Sequence, residues 1–263
     1  MDESTRLYTF TLSHFCEKAR WGLDRAGVSY DEVVLLPGFH RRHLRRLAAG
    51  KRVPVLIHRG RVFEGSGSIL DFAEAHGGAA RLSSAEPGRR AEALEWEGFL
   101  DREVGETVRL LVYFHLLKHP AALVAGWSRG GPFWAPALYW LAWPMAAVSI
   151  RRHLGIDAST ARRDEQRLLS ALDRVDARLT NHDFLVGDSF SRADLTLAAL
   201  CGPLLRPAEH PWRFPDVVEQ VHEIAALAER LRRSATGGRI SAAYARRRDF
   251  RVPERCPRAV TPA

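Results

Sequence analysis

Strand signals in this chain are confined to its first eighty residues, and that confinement limits the fold more than any other feature. Arg6–Thr11 reads as a short strand. His14–Ala26 reads as a helix, with Phe15, Ala19, Leu23 and Ala26 recurring at steps of three and four, and Gly27 supplies its stop. Val28–Leu36 reads as a second strand, ended by Pro37-Gly38. Residues 40–48 are basic and predict a short helix. Val53–His58 and Arg61–Glu64 pair as a hairpin around Arg59-Gly60. Ser66–Ala75 predicts a helix closed by Gly77-Gly78.

The resulting order, β-α-β-α-β-β-α, is a βαβ unit followed by a hairpin and a helix, the thioredoxin-like arrangement. Residues 78–88 form a linker of small residues, Ser, Gly and Pro. Beyond it only helical periodicity continues, over Arg89–Lys118, Leu138–His153, the stretch around Leu168, Leu172, Val175 and Leu179, then Asp194–Leu205 and Val217–Leu231. The predicted architecture is therefore α/β plus all-α. It comprises a thioredoxin-like domain over residues 1–82, a helical bundle over 83–235 and a basic tail over 236–263.

Composition excludes several classes. The three cysteines, Cys16, Cys201 and Cys256, are widely spaced and make no disulfide framework. With the polar, acidic start MDESTRLYTF, this points to the cytoplasm. The net charge is +8, and residues 239–258 hold seven arginines against Asp249 and Glu254. A solvated basic tail accounts for much of the excess. No zinc knuckle, helix-turn-helix or aromatic-basic RNA motif accompanies it, so no nucleic-acid partner is expected. His40-x-x-His43 lacks carboxylate or cysteine support, and no metal is expected.

Gly131–Ile150 carries no charge over twenty residues and has the length of a membrane span. Three prolines and scattered aromatic residues argue instead for a buried helix lining a hydrophobic pocket. Peripheral membrane contact is the alternative.

The chemistry-bearing string is Tyr8–Gly27, which places Ser13-His14-Phe15-Cys16 where the first strand meets the first helix. Free backbone N–H groups and the helix dipole stabilise a thiolate there. Ser13 suits the N-cap, and capping is compatible with holding a sulfur. This string resembles the glutathione S-transferase family, and among its classes the serine-using tau and zeta types. Ser13, Phe15, Lys18, Arg20 and Leu23 match the family string, with His14 in place of its proline. The resemblance implies that Ser13 is catalytic, donating a hydrogen bond to the sulfur of glutathione. Cys16 matches only the second position of a redox motif and has no partner thiol, so a structural role is expected for it.

The same resemblance extends to two further strings. Val53-Pro54 matches the position of a cis-proline turn, where the main chain of Val53 pairs with the cysteinyl part of glutathione. Glu64-Gly65-Ser66-Gly67-Ser68-Ile69 matches at Ser66 and Ile69, which implies that Ser66 holds the γ-glutamyl carboxylate. Gly65 stands where the family has the acidic or amide residue that holds the ammonium group. His40, Lys51 and Arg52 are candidates for the glycyl carboxylate, and a solvated basic face is the bland alternative. In the helical half, Phe190-Ser191-Arg192-Ala193-Asp194-Leu195 contains a capping box, a folding signal that leaves Asp194 no catalytic task.

The resemblance thus implies transfer of glutathione, as co-substrate, to a hydrophobic electrophile by a homodimer. Two alternatives keep the fold. One is a thiol-dependent isomerase, dehalogenase or reductase; the other is a non-catalytic binding scaffold, membrane-associated or not.

Overall fold

The computed structural model describes residues 4–47, 49–78, 80–215 and 221–248. Its first part contains β1 (Thr5–Thr9), α1 (His14–Ala26), β2 (Asp31–Val34), α2 (His40–Arg46), β3 (Val55–His58), β4 (Arg61–Glu64) and α3 (Ser66–His76). The four strands form one sheet in the order β2-β1-β3-β4. β1 runs parallel to β2 and antiparallel to β3, which pairs antiparallel with β4. The predicted order β-α-β-α-β-β-α is the observed one, with β1, β2 and β3 shorter than the stretches that announced them and β4 matching its prediction.

α1 begins where the Ser13 side chain accepts from the Cys16 N–H, and ends where Gly27, at φ 74°, turns its N–H back onto the last turn. It packs against α3 on one side and a helix of the second part on the other. Nearly every α1 residue is buried, including Glu17, Lys18, Arg20 and Asp24.

The second part is helical. It contains α4 (Pro87–Leu100), α5 (Glu106–Leu116), α6 (Pro120–Ser128), α7 (Ala135–Leu154), α8 (Ala158–Thr180), α9 (Arg192–Leu205), α10 (His222–Arg232) and α11 (Ala235–Arg247). The predicted continuous helix over Arg89–Lys118 is interrupted by a π-helical turn, Asp101–Gly105, that joins α4 to α5. No propensity signal marks this turn. A side chain at Gly105 would sit 2.6 Å from the Phe15 ring and 3.1 Å from Leu200, so the turn exists where three elements converge closely.

Two expectations are corrected. The uncharged segment 131–150 is not a buried helix lining a pocket. Within α7 only Ala135 and Tyr139 are buried, while Leu141 and Met145 are 81% and 75% exposed and Phe133, just before it, 96%. Among the described residues no helix is long and apolar enough to cross a membrane. The stretch expected as a solvated tail is likewise helical as far as Arg247. Its apolar residues Ile240 and Tyr244 are buried, and Tyr244 lies 4.7 Å from the Trp21 ring. Trp21 Nε1 donates to the Arg247 carbonyl, and the Thr236 N–H donates to Asp176. Arg248 is buried against α1, 2.6 Å from Glu17 and 2.7 Å from Asp24. Cys256 lies outside the described residues.

Removing one member of a buried ion cluster leaves the others charged without compensation, which costs about 3–5 kcal/mol. Arg248→Ala is therefore expected to lower the unfolding free energy by about 3 kcal/mol or more. Arg246→Ala, at an exposed position on the same turn, should change it by less than about 0.5 kcal/mol. Urea denaturation of the two variants beside the wild type checks this contrast.

Candidate active site

The sheet brings the predicted site residues to one end. β1 and β3 are antiparallel, with Tyr8 opposite Val55, so the end of β1 and the start of β3 share an edge. The hairpin places Glu64 opposite Val55, which adds the start of α3 to the same edge. Ser13, the Val53-Pro54 pair and Gly65-Ser66 therefore gather there, although forty residues separate the first from the second. The Gly65 N–H donates to the Pro54 carbonyl at 3.0 Å and ties two of these strings together.

Ser13 is half-buried in extended backbone at the head of α1. Its Oγ accepts from the Cys16 N–H at 3.4 Å, which uses a lone pair and leaves the hydroxyl proton available for a second partner. Cys16 has no exposed surface, and its Sγ accepts from the Phe10 N–H. Burial pushes its thiol pKa up. Cys201 is buried too, with its thiol pushed up to about 12. Neither is a thiolate near neutral pH.

The Val53-Pro54 peptide bond is cis. Val53 precedes the first residue of β3, so its N–H and carbonyl stand outside the strand ladder. Ser66 is the first residue of α3 and is buried. Gly65 before it adopts φ 82°, a conformation that suits glycine and offers only backbone. The nearest acid in sequence, Glu64, is turned away and accepts from the Gly50 N–H at 2.8 Å.

The three basic candidates fare differently. His40 uses both ring nitrogens, accepting from the Gly38 N–H on Nδ1 and donating from Nε2 to the Lys51 carbonyl. Burial lowers its pKa, so it serves as a neutral strut for the loop that carries Lys51. Lys51 and Arg52 are exposed.

His14, in place of the family's proline, is buried, and its Nε2 donates to the Gly105 carbonyl at 2.9 Å. It ties the head of α1 to the π-helical turn. Burial, aided by the Arg109 charge, lowers its pKa to about 3. Arg109, on α5, is the residue that sequence reasoning missed. Its Nε is buried and has no hydrogen-bond partner among the described residues, and burial together with the charge of Arg52 pulls its pKa down. The charge of Arg52, in the first half, thus acts on Arg109 in the second. The available signal was a single cation inside the apolar run TVRLLVYFHLL. Beyond Arg109, Tyr113 lies 6.4 Å from the Trp127 ring, and the Thr11 hydroxyl donates to the Gly126 carbonyl of α6. These contacts place α5 and α6 over the loop that holds Ser13.

Residues 7–80 match the glutathione S-transferase N-terminal domain, and residues 138–233 match the glutathione S-transferase C-terminal domain. The chain belongs to the glutathione S-transferase family. Its similarity to solved structures is one of fold. The β-etherase LigF from Sphingobium sp. strain SYK-6 is 20% identical, with a TM-score of 0.60 over 91% of this chain and 99% of that one. A glutathione S-transferase from Methylobacillus flagellatus KT with glutathione bound is 17% identical, with a TM-score of 0.55 over 90% and 99%. One from Methylobacterium radiotolerans, in complex with glutathione sulfonate, is 18% identical, with a TM-score of 0.53 over 90% and 94%. No curated protein matches the chain by sequence.

Within this family fold the matched motif residues Lys18 and Arg20 are structural. Lys18 lies 2.7 Å from Glu97 and 2.8 Å from Asp101, and Arg20 lies 2.6 Å from Glu32. Asp194 accepts from the N–H and hydroxyl of Ser191 and from the Leu185 N–H, which fills it as a cap. Among the described residues no cluster of three or more His, Cys, Asp or Glu side chains is placed to hold a metal. The cavity of about 300 Å³ bounded by Leu179, Phe190, Leu197 and Ile240 contains none of the predicted site residues.

His14 also sets a pH dependence. Its folded-state pKa is below the ordinary value of 6.5, so the unfolded chain takes up the proton first. The stability it contributes is fully present above pH 6.5 and is lost as pH falls towards about 3. Within that window the loss approaches 1.4 kcal/mol per pH unit at most, about one proton's worth. His14→Gln keeps a donor for the Gly105 carbonyl but does not titrate. The difference in urea stability between wild type and variant should change between about pH 7 and about pH 5, in favour of the variant at the lower pH.

Proposed function

We propose that this protein binds glutathione, lowers the pKa of its thiol, and transfers the sulfur to a hydrophobic electrophile. The observation that carries this reading is the state of Ser13. Its hydroxyl caps α1 through a lone pair and keeps its proton to donate, beside a helix N-terminus whose dipole favours an anion. A drop of about two units in the thiol pKa corresponds to about 2.7 kcal/mol of preference for the thiolate. That supplies a nucleophile at neutral pH without a general base.

Each part of the tripeptide has a counterpart. The unladdered main chain of Val53 suits the cysteinyl amide. The first turn of α3, opened by Ser66, suits the γ-glutamyl carboxylate, since its early N–H groups have no helical acceptor. Lys51 or Arg52 suits the glycyl carboxylate. The ammonium group is the weak point: Gly65 has no side chain, and Glu64 is committed to Gly50. Modest affinity for glutathione follows from that gap.

The acceptor binds beneath α5 and α6, against Tyr113 and Trp127. The thiolate attacks its electrophilic carbon, a carbon–sulfur bond forms, and the bond to the leaving group breaks with its electron pair on the departing group. Arg109 places a cation on this otherwise apolar wall, which favours a group that leaves as an anion. Ser13 retains its proton throughout. Positioning of the two reactants supplies most of the acceleration.

The buried Cys16, with its pKa raised, favours this reading over a cysteine-based reductase or isomerase. Ser13→Ala is expected to lower kcat/KM for a model electrophile by about a hundred-fold, about 2.7 kcal/mol. Cys16→Ser is expected to change it by no more than a few-fold. Loss in Cys16→Ser alone would transfer the chemistry to that thiol. Absence of binding heat at millimolar glutathione, with the protein folded, would leave a scaffold.

A further inference from the structure

We infer that α7 is a docking face for an anionic phospholipid bilayer, on which the helix lies parallel to the surface without crossing it. Three observations carry this.

The first is the face itself. A helix that is apolar all round is ordinarily buried. α7 buries Ala135 and Tyr139, packs Trp143 beside Trp127, and leaves the opposite face in solvent. That face carries Ala137, Trp140, Leu141, Met145 and Val148, spaced at three- and four-residue steps, with Phe133 just before the helix. Of the seven large hydrophobic side chains exposed among the described residues, five lie between 133 and 148. A sixth, Phe39, is set against Tyr139 of the same helix at 6.3 Å.

The second is charge. No acid occurs from Val33 to Phe63 or from Thr107 to Ile156. These two stretches hold eight and five Lys or Arg residues, more than the whole chain's net +8, so the remaining residues together are net negative. The two stretches meet in space: Arg41 of α2 lies 3.4 Å from His153 at the end of α7. Arg41, Arg42, Arg45 and Arg46 therefore join Arg151 and Arg152 as a cationic rim beside the apolar face. All six are exposed. The nearest acid in sequence, Asp157, is occupied as the cap of α8.

The third is which occupant satisfies both. A second copy seated on this face would set one arginine rim against another, with no acid between Val33 and Phe63 or between Thr107 and Ile156 to separate them. An anionic leaflet accepts the apolar stripe at its acyl boundary and the rim at its phosphates, and the exposed Trp140 suits the interface between them. α7 is long enough for a span but not apolar enough, which keeps the helix on the surface.

The test uses the purified full chain in flotation with phosphatidylcholine vesicles, with and without phosphatidylglycerol. The expected result is co-flotation with the anionic vesicles only, release at high salt, and a blue shift of tryptophan emission on binding. Leu141→Ser/Met145→Ser and Arg151→Gln/Arg152→Gln alter exposed positions and should leave the fold intact by circular dichroism. Each pair should weaken partition by roughly ten-fold or more. A chain that stays with the solution fraction at every lipid composition overturns the inference. So does binding unchanged in the Leu141/Met145 variant, which would be electrostatic adhesion elsewhere. A dimer dispersed by that variant, without vesicle binding, would assign the face to a second copy.

Discussion

The fold depends on four ionised side chains carried into the core by one helix. Glu17, Lys18, Arg20 and Asp24 of α1 are all buried, and together they are paired with three different parts of the chain. Arg20 meets Glu32 on β2, and Lys18 meets Glu97 and Asp101 of the helical half. Glu17 and Asp24 meet Arg248 at the far end of the sequence. Glu97 in turn meets Arg192, which reaches Asp71 on α3. Burying such charges is costly in itself, and the pairs roughly offset that cost. What they add is selectivity, because a shift of α1 by one residue would leave several charges buried and unpaired.

That constraint fixes the head of α1, and with it Ser13. The helix is held by β2 and α3 on one side and by α9 and the C-terminal segment on the other. His14 and the close approach of Phe15 to Gly105 pin its first turn to the junction of α4 and α5. The candidate site is thus the end of a rigid element facing a cis turn and a second helix N-terminus. Such an end suits electrostatic stabilisation, because the donors are oriented before any ligand arrives. The wall that the second half offers to the candidate site is less polar, and Arg109 is its one charge among the residues of α5 from Thr107 to Leu116.

Most of the first half was legible in the sequence. Strand alternation, Gly27 after α1, Val53-Pro54 before β3 and Ser66 at α3 are local signals, and the structure follows them. Ser191 and Asp194 were legible for the same reason, since a capping box is written in four consecutive residues. What escaped depends on distant partners. Lys18 and Arg20 matched a motif, but nothing local says that they are buried or by what they are neutralised. In the sequence Arg248 is one arginine among many, and only the fold brings Glu17 and Asp24 beside it. The helix α7 departs from its sequence signal in the opposite sense. Apolar composition predicts burial only when enough of the protein is available to cover it, and here one face has no cover. Arg109 carries no motif; its importance appears only when α5 is seen above the Ser13 loop.

The central claim is that a hydroxyl and free amides at the head of α1 hold glutathione sulfur as an anion. The direct measurement is the ultraviolet absorbance of the bound thiolate, followed against pH in the wild type and in Ser13→Ala, each saturated with glutathione. The account predicts a thiol titrating about two units below the free tripeptide in the wild type and returning most of the way in the variant. Superimposable titrations of the two proteins, or a bound thiol that titrates like the free one, would contradict it.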